Sequence, residues 1–512
     1  MLPSPKSQTA IGAPSVPDQT PNPNPLRLGS DADFAALRSA LASAGYTEPA
    51  ICERLGFQKI SQFQFVTERR PPSRPRVENP DTLDLLIRLF LENQPVERGA
   101  AGALPLDFLS ALGLIVPHAA DPALLSGTVM LHPLRELYIV SDRPSPIEGN
   151  ERRPPDDFVY PAMIPNTQLF LDLIPPAPCD AFLDLCAGTG IAALLAARDG
   201  AAHAYSYDIT ERSTVFAEFN RRLNGIVNVT ASQGDLYEPA AELTFDRIVA
   251  HPPYVPVYRP NLIFDSGGQD GEQISRRIIE GLPRYLRPGG RFYGLTMGSD
   301  RDHPFEQRLR EWLGAAESEF DVAFVQRITR TPREWAAESV ISKKGAVTDI
   351  PDWRAFFENL HVQALVYGFV MIQRRAQPRP VFTVRRQIGP RTGPAEHAWL
   401  FDWETSAVSH PATWALGFKP RAAPGIHLRV DHNFENGDWV PGAYLLETDY
   451  PFNSELPAQA WTAHLFTRAD GSRTTTELLD QLKADGALHP ETPPAAFAEM
   501  LATLISGGFL QV

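Results

Sequence analysis

Apolar residues recur at helical spacing from Asp31 onward, with Phe34, Leu37 and Leu41 on one face. Thr47 is placed to cap a second helix, with Pro49 in its first turn and Gly56 past its end. The pattern over Asp81–Asn93 predicts a third helix with Leu85, Leu86, Leu89 and Phe90 inward. Leu106–Leu112 reads as a fourth, stopped by Gly113. Two β-rich runs follow, Thr128–Leu131 and Leu137–Val140. Helices followed by a small hairpin predict a winged-helix-like module over 31–150.

From 151 to 375 the period changes. Short apolar runs alternate with Gly-rich turns and helical stretches. The strands expected are Ala181–Leu185, Ala204–Tyr207, Asn228–Ala231, Asp246–Ala250, Arg291–Thr296, Val322–Arg327 and Ala364–Gln373. This alternation predicts an α/β fold: a doubly wound, seven-stranded, Rossmann-like core flanked by small α+β modules. Residues 376–455 are strand-like and aromatic, and read as a β-rich connecting region. Residues 456–512 turn helical again at Thr474–Leu482 and Pro494–Leu504, then reach Gly507-Gly508-Phe509-Leu510. They suggest a second winged-helix-like module. Residues 1–30 hold many prolines and few large apolar side chains, so a disordered tail is expected there.

Charge narrows the class of partner. The chain has 512 residues, 47 Lys+Arg against 61 Asp+Glu, and a formal net charge of −14. No segment beyond residue 30 is basic, which disfavours nucleic acid held by bulk charge. The three cysteines, Cys52, Cys179 and Cys186, form no CxxC pair. A disulfide framework and a cysteine-built zinc site are not expected, and a cytoplasmic location is. No apolar run approaches the roughly 18–20 residues of a membrane span. No cluster has convincing metal-ligand spacing; His427–Asp438 reads as exposed strand and turn. The Arg69–Arg76 loop and the Lys343-Lys344 pair are solvated cations or contacts for an acidic partner or an acceptor.

Candidate chemistry gathers at the ends of the expected strands. Asp184-Leu185-Cys186-Ala187-Gly188-Thr189-Gly190 follows an apolar strand and opens a helix. Glycines there let backbone approach a ligand, and the helix start offers free N–H groups. The acid before the glycines suits a ligand with a cationic amino group. Asp208, at the end of the second strand, is placed to accept both hydroxyls of a ribose, or to cap the following helix. Asp235, after the third strand, can take the exocyclic amine of an adenine with Leu236 beside the ring. The fourth strand runs into His251-Pro252-Pro253-Tyr254. Two prolines fix the backbone and leave the preceding carbonyls free to accept. The aromatic adds a flat wall, so the segment builds a slot for a planar NH2 group.

On these motifs, residues 160–375 resemble a class I S-adenosylmethionine-dependent methyltransferase. The branch is the one whose fourth strand ends in (Asn/Asp)-Pro-Pro-(Tyr/Phe), and the HemK-type family that methylates glutamine amides is the nearest likeness. Pro161–Gln168, Gly267–Gly271 and Arg287–Gly290 are similar to family segments as well. The resemblance implies S-adenosylmethionine as cofactor and no metal. It implies cofactor contacts from Pro165, Thr167, Asp184, Cys186, Ala187, Gly188, Gly190, Asp208, Ile209, Asp235, Leu236 and His251. It implies catalytic roles for His251, Pro252, Pro253 and Tyr254. Its acceptor would be a planar nitrogen of a protein side chain or a nucleobase. One departure stands out: the family's Asn or Asp is His251 here. An imidazole either orients the acceptor or acts as a general base. That leaves open a small-molecule N- or O-methyltransferase, or a regulatory scaffold that binds the cofactor without turnover. The acidic surface favours a protein or small-molecule acceptor over nucleic acid, with no membrane partner.

Overall fold

The computed structural model describes residues 24–63, 79–143, 155–176, 178–256, 267–268, 270–341 and 346–512. Residues 1–23, the Arg69–Arg76 loop, Gln269, Lys343 and Lys344 lie outside the described residues.

The N-terminal part carries helices α1 (Asp31–Ser43), α2 (Glu48–Leu55), α3 (Thr82–Phe90) and α4 (Leu106–Ala111). Ser30 and Asp33 close a capping box on α1, and Phe34, Leu37 and Leu41 are its buried face. Strands β1 (Val96–Glu97), β2 (Ile115–Pro117) and β3 (Leu124–Gly127) form one antiparallel sheet. Strands β4 (Met130–Leu134) and β5 (Leu137–Ser141) form a hairpin. The expected tail needs correction at its end. Leu26 is buried in the core and the Arg27 N–H donates to the Leu112 carbonyl at 3.1 Å, so the segment is anchored to the fold at these two residues.

Helix α5 (Pro165–Leu173) leads into the central sheet. Its strands are β6 (Cys179–Leu185), β7 (Ala201–Asp208), β8 (Val229–Gln233), β9 (Phe245–Ala250), β10 (Leu286–Asp300), β11 (Phe320–Arg330), β12 (Ala364–Arg374) and β13 (Thr383–Gln387). Their order is β13-β11-β12-β10-β9-β6-β7-β8. Only β12 runs against the rest, antiparallel to both β10 and β11. Helices α6 (Ile191–Arg198), α7 (Glu211–Leu223), α8 (Gln273–Tyr285) and α9 (Phe305–Glu311), then α10 (Pro332–Ile341) and α11 (Ile350–Asn359), lie between the strands. The sheet has eight strands, not seven. The eighth, β13, comes from the region expected to be a connector and pairs in parallel with β11. Ion pairs anchor it: Arg385 meets Asp300 and Glu306, and Arg379 meets the fully buried Asp321.

A second correction follows. Residues 376–455 also contain α12 (Pro394–Ser409), a 16-residue helix. His397 of α12 is buried, with Nδ1 3.2 Å from the Leu173 carbonyl that ends α5 and its ring stacked on Phe369. The short pair β14 (Arg421–Ala422) and β18 (Leu510–Gln511) closes the last segment onto this region. Between them lie an antiparallel sheet of β15 (His427–Glu435), β16 (Asp438–Thr448) and β17 (Ser454–Ala458), and helices α13 (Ala460–Phe466), α14 (Thr475–Ala484) and α15 (Pro494–Ser506). Trp403, Leu446, Leu478, Phe497 and Phe509 share one core, so 376–455 and 456–512 are packed together. No described helix is long and apolar enough to cross a membrane.

Candidate active site

Strand order reverses at β6, which has β7 on one side and β9 on the other. In open α/β sheets the crevice beyond the carboxyl ends of such strands is where ligands bind. A cavity of about 420 Å³ opens there. It is lined by the turn after β6, the ends of β7, β8 and β9, the start of α5 and residues 157–160.

The turn after β6 is held from below and behind. The Ala187 N–H donates to the Tyr207 carbonyl at 3.1 Å. The Gly188 N–H donates to Asp208 Oδ2 at 2.9 Å. Gly190 has φ +74°, and a Cβ there would come within 3.0 Å of Ala217 Cβ, so glycine is required. Gly188 has φ +54°, but an added Cβ would meet no atom within 4 Å. Its exposed side borders the cavity.

Four carboxyl groups line this cavity: Asp157, Asp184, Asp208 and Asp235. Asp184 is 3% exposed, and burial pushes its pKa up to about 8. Its Oδ2 accepts from the Ala193 N–H at 3.3 Å, and the backbone N–H groups of Ala193 and Ala192 favour the charged form without offsetting burial. Asp208 Oδ1 accepts from the Thr210 N–H and hydroxyl at 3.1 and 3.2 Å. A carboxylate offers about four lone-pair sites, so Asp208 keeps room for a ligand hydroxyl. Asp235 is ion-paired with Arg277 of α8 at 2.8 Å.

The fourth wall is aromatic. The His251 ring lies between Phe170 of α5 (centroids 5.3 Å, 28°) and Tyr254 (5.7 Å, 23°). Tyr254 in turn tilts against Tyr367 at 5.3 Å. Asn166 Nδ2 donates to the Tyr254 hydroxyl at 3.0 Å. The half-buried imidazole has its pKa pushed down to about 4 by desolvation, so it is neutral at neutral pH. A Gly-rich turn, an acid at the end of the next strand and an X-Pro-Pro-aromatic wall thus face one another across one cavity.

The profile of the methyltransferase small domain matches residues 158–321. This stretch is a methyltransferase small domain. A ribosomal protein uL3 glutamine methyltransferase of Bradyrhizobium diazoefficiens is 33% identical over 165 residues, covering 29% of this chain and 51% of its own. A release factor glutamine methyltransferase of Moorella thermoacetica is 34% identical over 157 residues, covering 28% of this chain and 54% of its own. The chain spans about half the length of these curated relatives. Among solved structures, the ribosomal protein L11 methylase of Lactobacillus delbrueckii subsp. bulgaricus is similar over 39% of this chain and 71% of its own, at 18% identity and a TM-score of 0.23.

The methyltransferase domain brings most of the residues singled out in the sequence to its cavity. Thr167, Asp184, Cys186, Ala187, Gly188, Asp208, Ile209, Asp235, Leu236, His251, Pro252, Pro253 and Tyr254 all line it. Pro165 and Gly190 do not. Pro165 starts α5, one residue from the lining Asn166. Gly190 sits behind the turn against α7. Sequence reasoning gave no role to Phe170, Asn166, Arg277 or the Phe158–Tyr160 pair, whose rings meet at 5.2 Å. Phe170 and Asn166 are four residues apart at the start of a helix, one turn on the same face. That spacing was the available signal.

Proposed function

We propose that the protein is an S-adenosylmethionine-dependent methyltransferase whose acceptor is a planar nitrogen, the side-chain amide of a glutamine in a protein. The observation that carries this is the facing of the Gly-rich turn and Asp208 by the His251–Tyr254 wall across one cavity. The donor set fits the cofactor. Asp184 is a buried carboxyl that becomes ionised at low cost only beside a cation such as an α-amino group. Asp208 suits a ribose diol, and the apolar side chains of Ile209 and Leu236 line the same cavity, where a base would pack.

When bound, the cofactor supplies an electrophilic methyl group on a sulfonium. The chain's own task is then alignment and exclusion of water. Phe170, His251 and Tyr254 present stacked faces that dry one side of the slot. Because Pro252 and Pro253 lack N–H groups, the carbonyls of His251 and Pro252 stay available to hold an amide NH2. A neutral imidazole adds one accepting nitrogen and one donating nitrogen. A protonated ring would have no acceptor, so the depressed pKa keeps this nitrogen able to take an N–H bond at neutral pH. The N-terminal module, α1 to β5, is the proposed acceptor-recognition part, since it joins the domain beside the cavity-lining residues 157–160.

Tritium-labelled methyl donor, added with the purified protein to a lysate of cells lacking it, is expected to label protease-sensitive material. Label in RNA or small metabolites would overturn the acceptor. No label at all would overturn transfer itself.

A further inference from the structure

We propose that Asn220 is a positioning residue, through which the β4–β5 hairpin sets the turn that receives the cofactor; this rests on the methyltransferase reading above. Asn220 lies on α7 and is 0% exposed. Its Nδ2 donates to the Val140 carbonyl of β5 and to the Thr189 carbonyl, each at 3.0 Å. Its Oδ1 accepts from the Val140 N–H at 2.7 Å. Both amide protons and the amide oxygen are therefore used.

Thr189 stands between Gly188 and Gly190, which both have positive φ and no side chain to brace them. The orientation of the peptide planes is left to hydrogen bonds. Asp208 holds the N–H of Gly188, and Asn220 holds the C=O of Thr189. The first contact comes from within the sheet. The second ties the turn to a strand of the N-terminal module.

The fold supplies a matched control. Asn224, which caps the C-terminus of α7 one turn on, exchanges the same pair of bonds with Tyr138, at 2.8 and 2.7 Å, and also donates to the Asn220 carbonyl at 2.8 Å. Four helical residues rise about 6.0 Å and two strand residues about 6.6 Å, so asparagines four apart meet alternate residues of a strand edge. Asn220 in α7 and Asn224 at its C-cap thus share residue type and strand partner, and of the two Asn220 reaches the Thr189 carbonyl.

The test is calorimetry of S-adenosylhomocysteine binding to the full chain as wild type, Asn220→Ala and Asn224→Ala, with a thermal melt of each. Both variants are expected to melt at lower temperature. Asn220→Ala is expected to weaken binding at least tenfold and Asn224→Ala by less than twofold. Equal loss in the two variants, or an Asn220→Ala affinity within twofold of wild type, would overturn the inference alone. Absence of binding by the wild type would overturn the cofactor reading and this inference with it. Should Asn220→Ala fail to fold, Asn220→Ser keeps one polar atom at the site and carries the same comparison.

Discussion

At the scale of single residues, protonation decides what the cavity can hold. With its pKa pushed up to about 8 by burial, Asp184 is mostly a neutral acid at pH 7. A ligand ammonium beside it restores the carboxylate, so binding expels a proton. Calorimetry at pH 7 in buffers of different ionisation enthalpy is expected to report close to one proton released, and none in Asp184→Asn. The same group acts on stability. Its folded pKa lies above its unfolded value of 3.8, so its stabilising contribution is lost as pH rises toward 8. Three desolvated histidines act the other way: the half-buried His251 and the buried His397, each near 4, and the buried His132, near 3 with neither ring nitrogen bonded. Their folded values lie below 6.5, so their contribution is present above that pH and is lost as pH falls toward 4. Below pH 6.5 three groups outweigh one; above it Asp184 acts alone. Urea titrations of the ligand-free protein across pH 5–8 are expected to peak near pH 6.5, with the steeper loss on the acid side. The acids and glycines of this site were legible because such residue types at strand ends have few other uses. Asn220, Arg277 and Phe170 were not, because each takes its role from a partner distant in sequence, as Asn220 does from Val140.

At the scale of elements, the central strands β6, β9, β10, β11 and β12 were readable because both faces of the sheet are covered there, so each carries a largely apolar run. Strand β13 escaped because Thr383-Val384-Arg385-Arg386-Gln387 has one apolar residue and is fixed by ions instead. Helix α12 escaped because its buried positions include His397 and Glu404, which blur the amphipathic period. The ionic anchors make β13 testable. Arg379 donates to Asp321, whose side chain is 0% exposed and also accepts from the Phe382 N–H at 3.2 Å. Removing one partner of a buried pair leaves a stranded charge, at about 3–5 kcal/mol. Arg379→Ala is expected to lower the unfolding free energy by that order in a urea titration, while Arg391→Ala, at an exposed pair with Asp449, should cost under about 1 kcal/mol.

At the scale of the whole molecule, the segments are joined edge to edge. On one side, α7 and its C-cap lend two asparagine side chains, Asn220 and Asn224, to the free edge of β5, and Arg212 closes on Asp142 just beyond it, both side chains nearly fully buried. On the other, β13 extends the central sheet past β11, and Arg386 reaches across to Glu404 of α12 and Ser506 of α15. The matched stretch 158–321 contains neither β12 nor β13, and ends at the second residue of β11. Expressed alone, it is expected in the insoluble fraction, whereas the full chain should remain in the supernatant; comparing the two after lysis checks this. The cause is that each junction doubles as a seal over unpaired backbone. An exposed strand edge is a template for other chains. The asparagine pair of α7 and its C-cap therefore does a second job: it dresses a helix as a neighbouring strand, and so keeps the β5 edge from recruiting a copy of itself. Shuffling these segments between proteins would demand a replacement for that cover as well as a new linker.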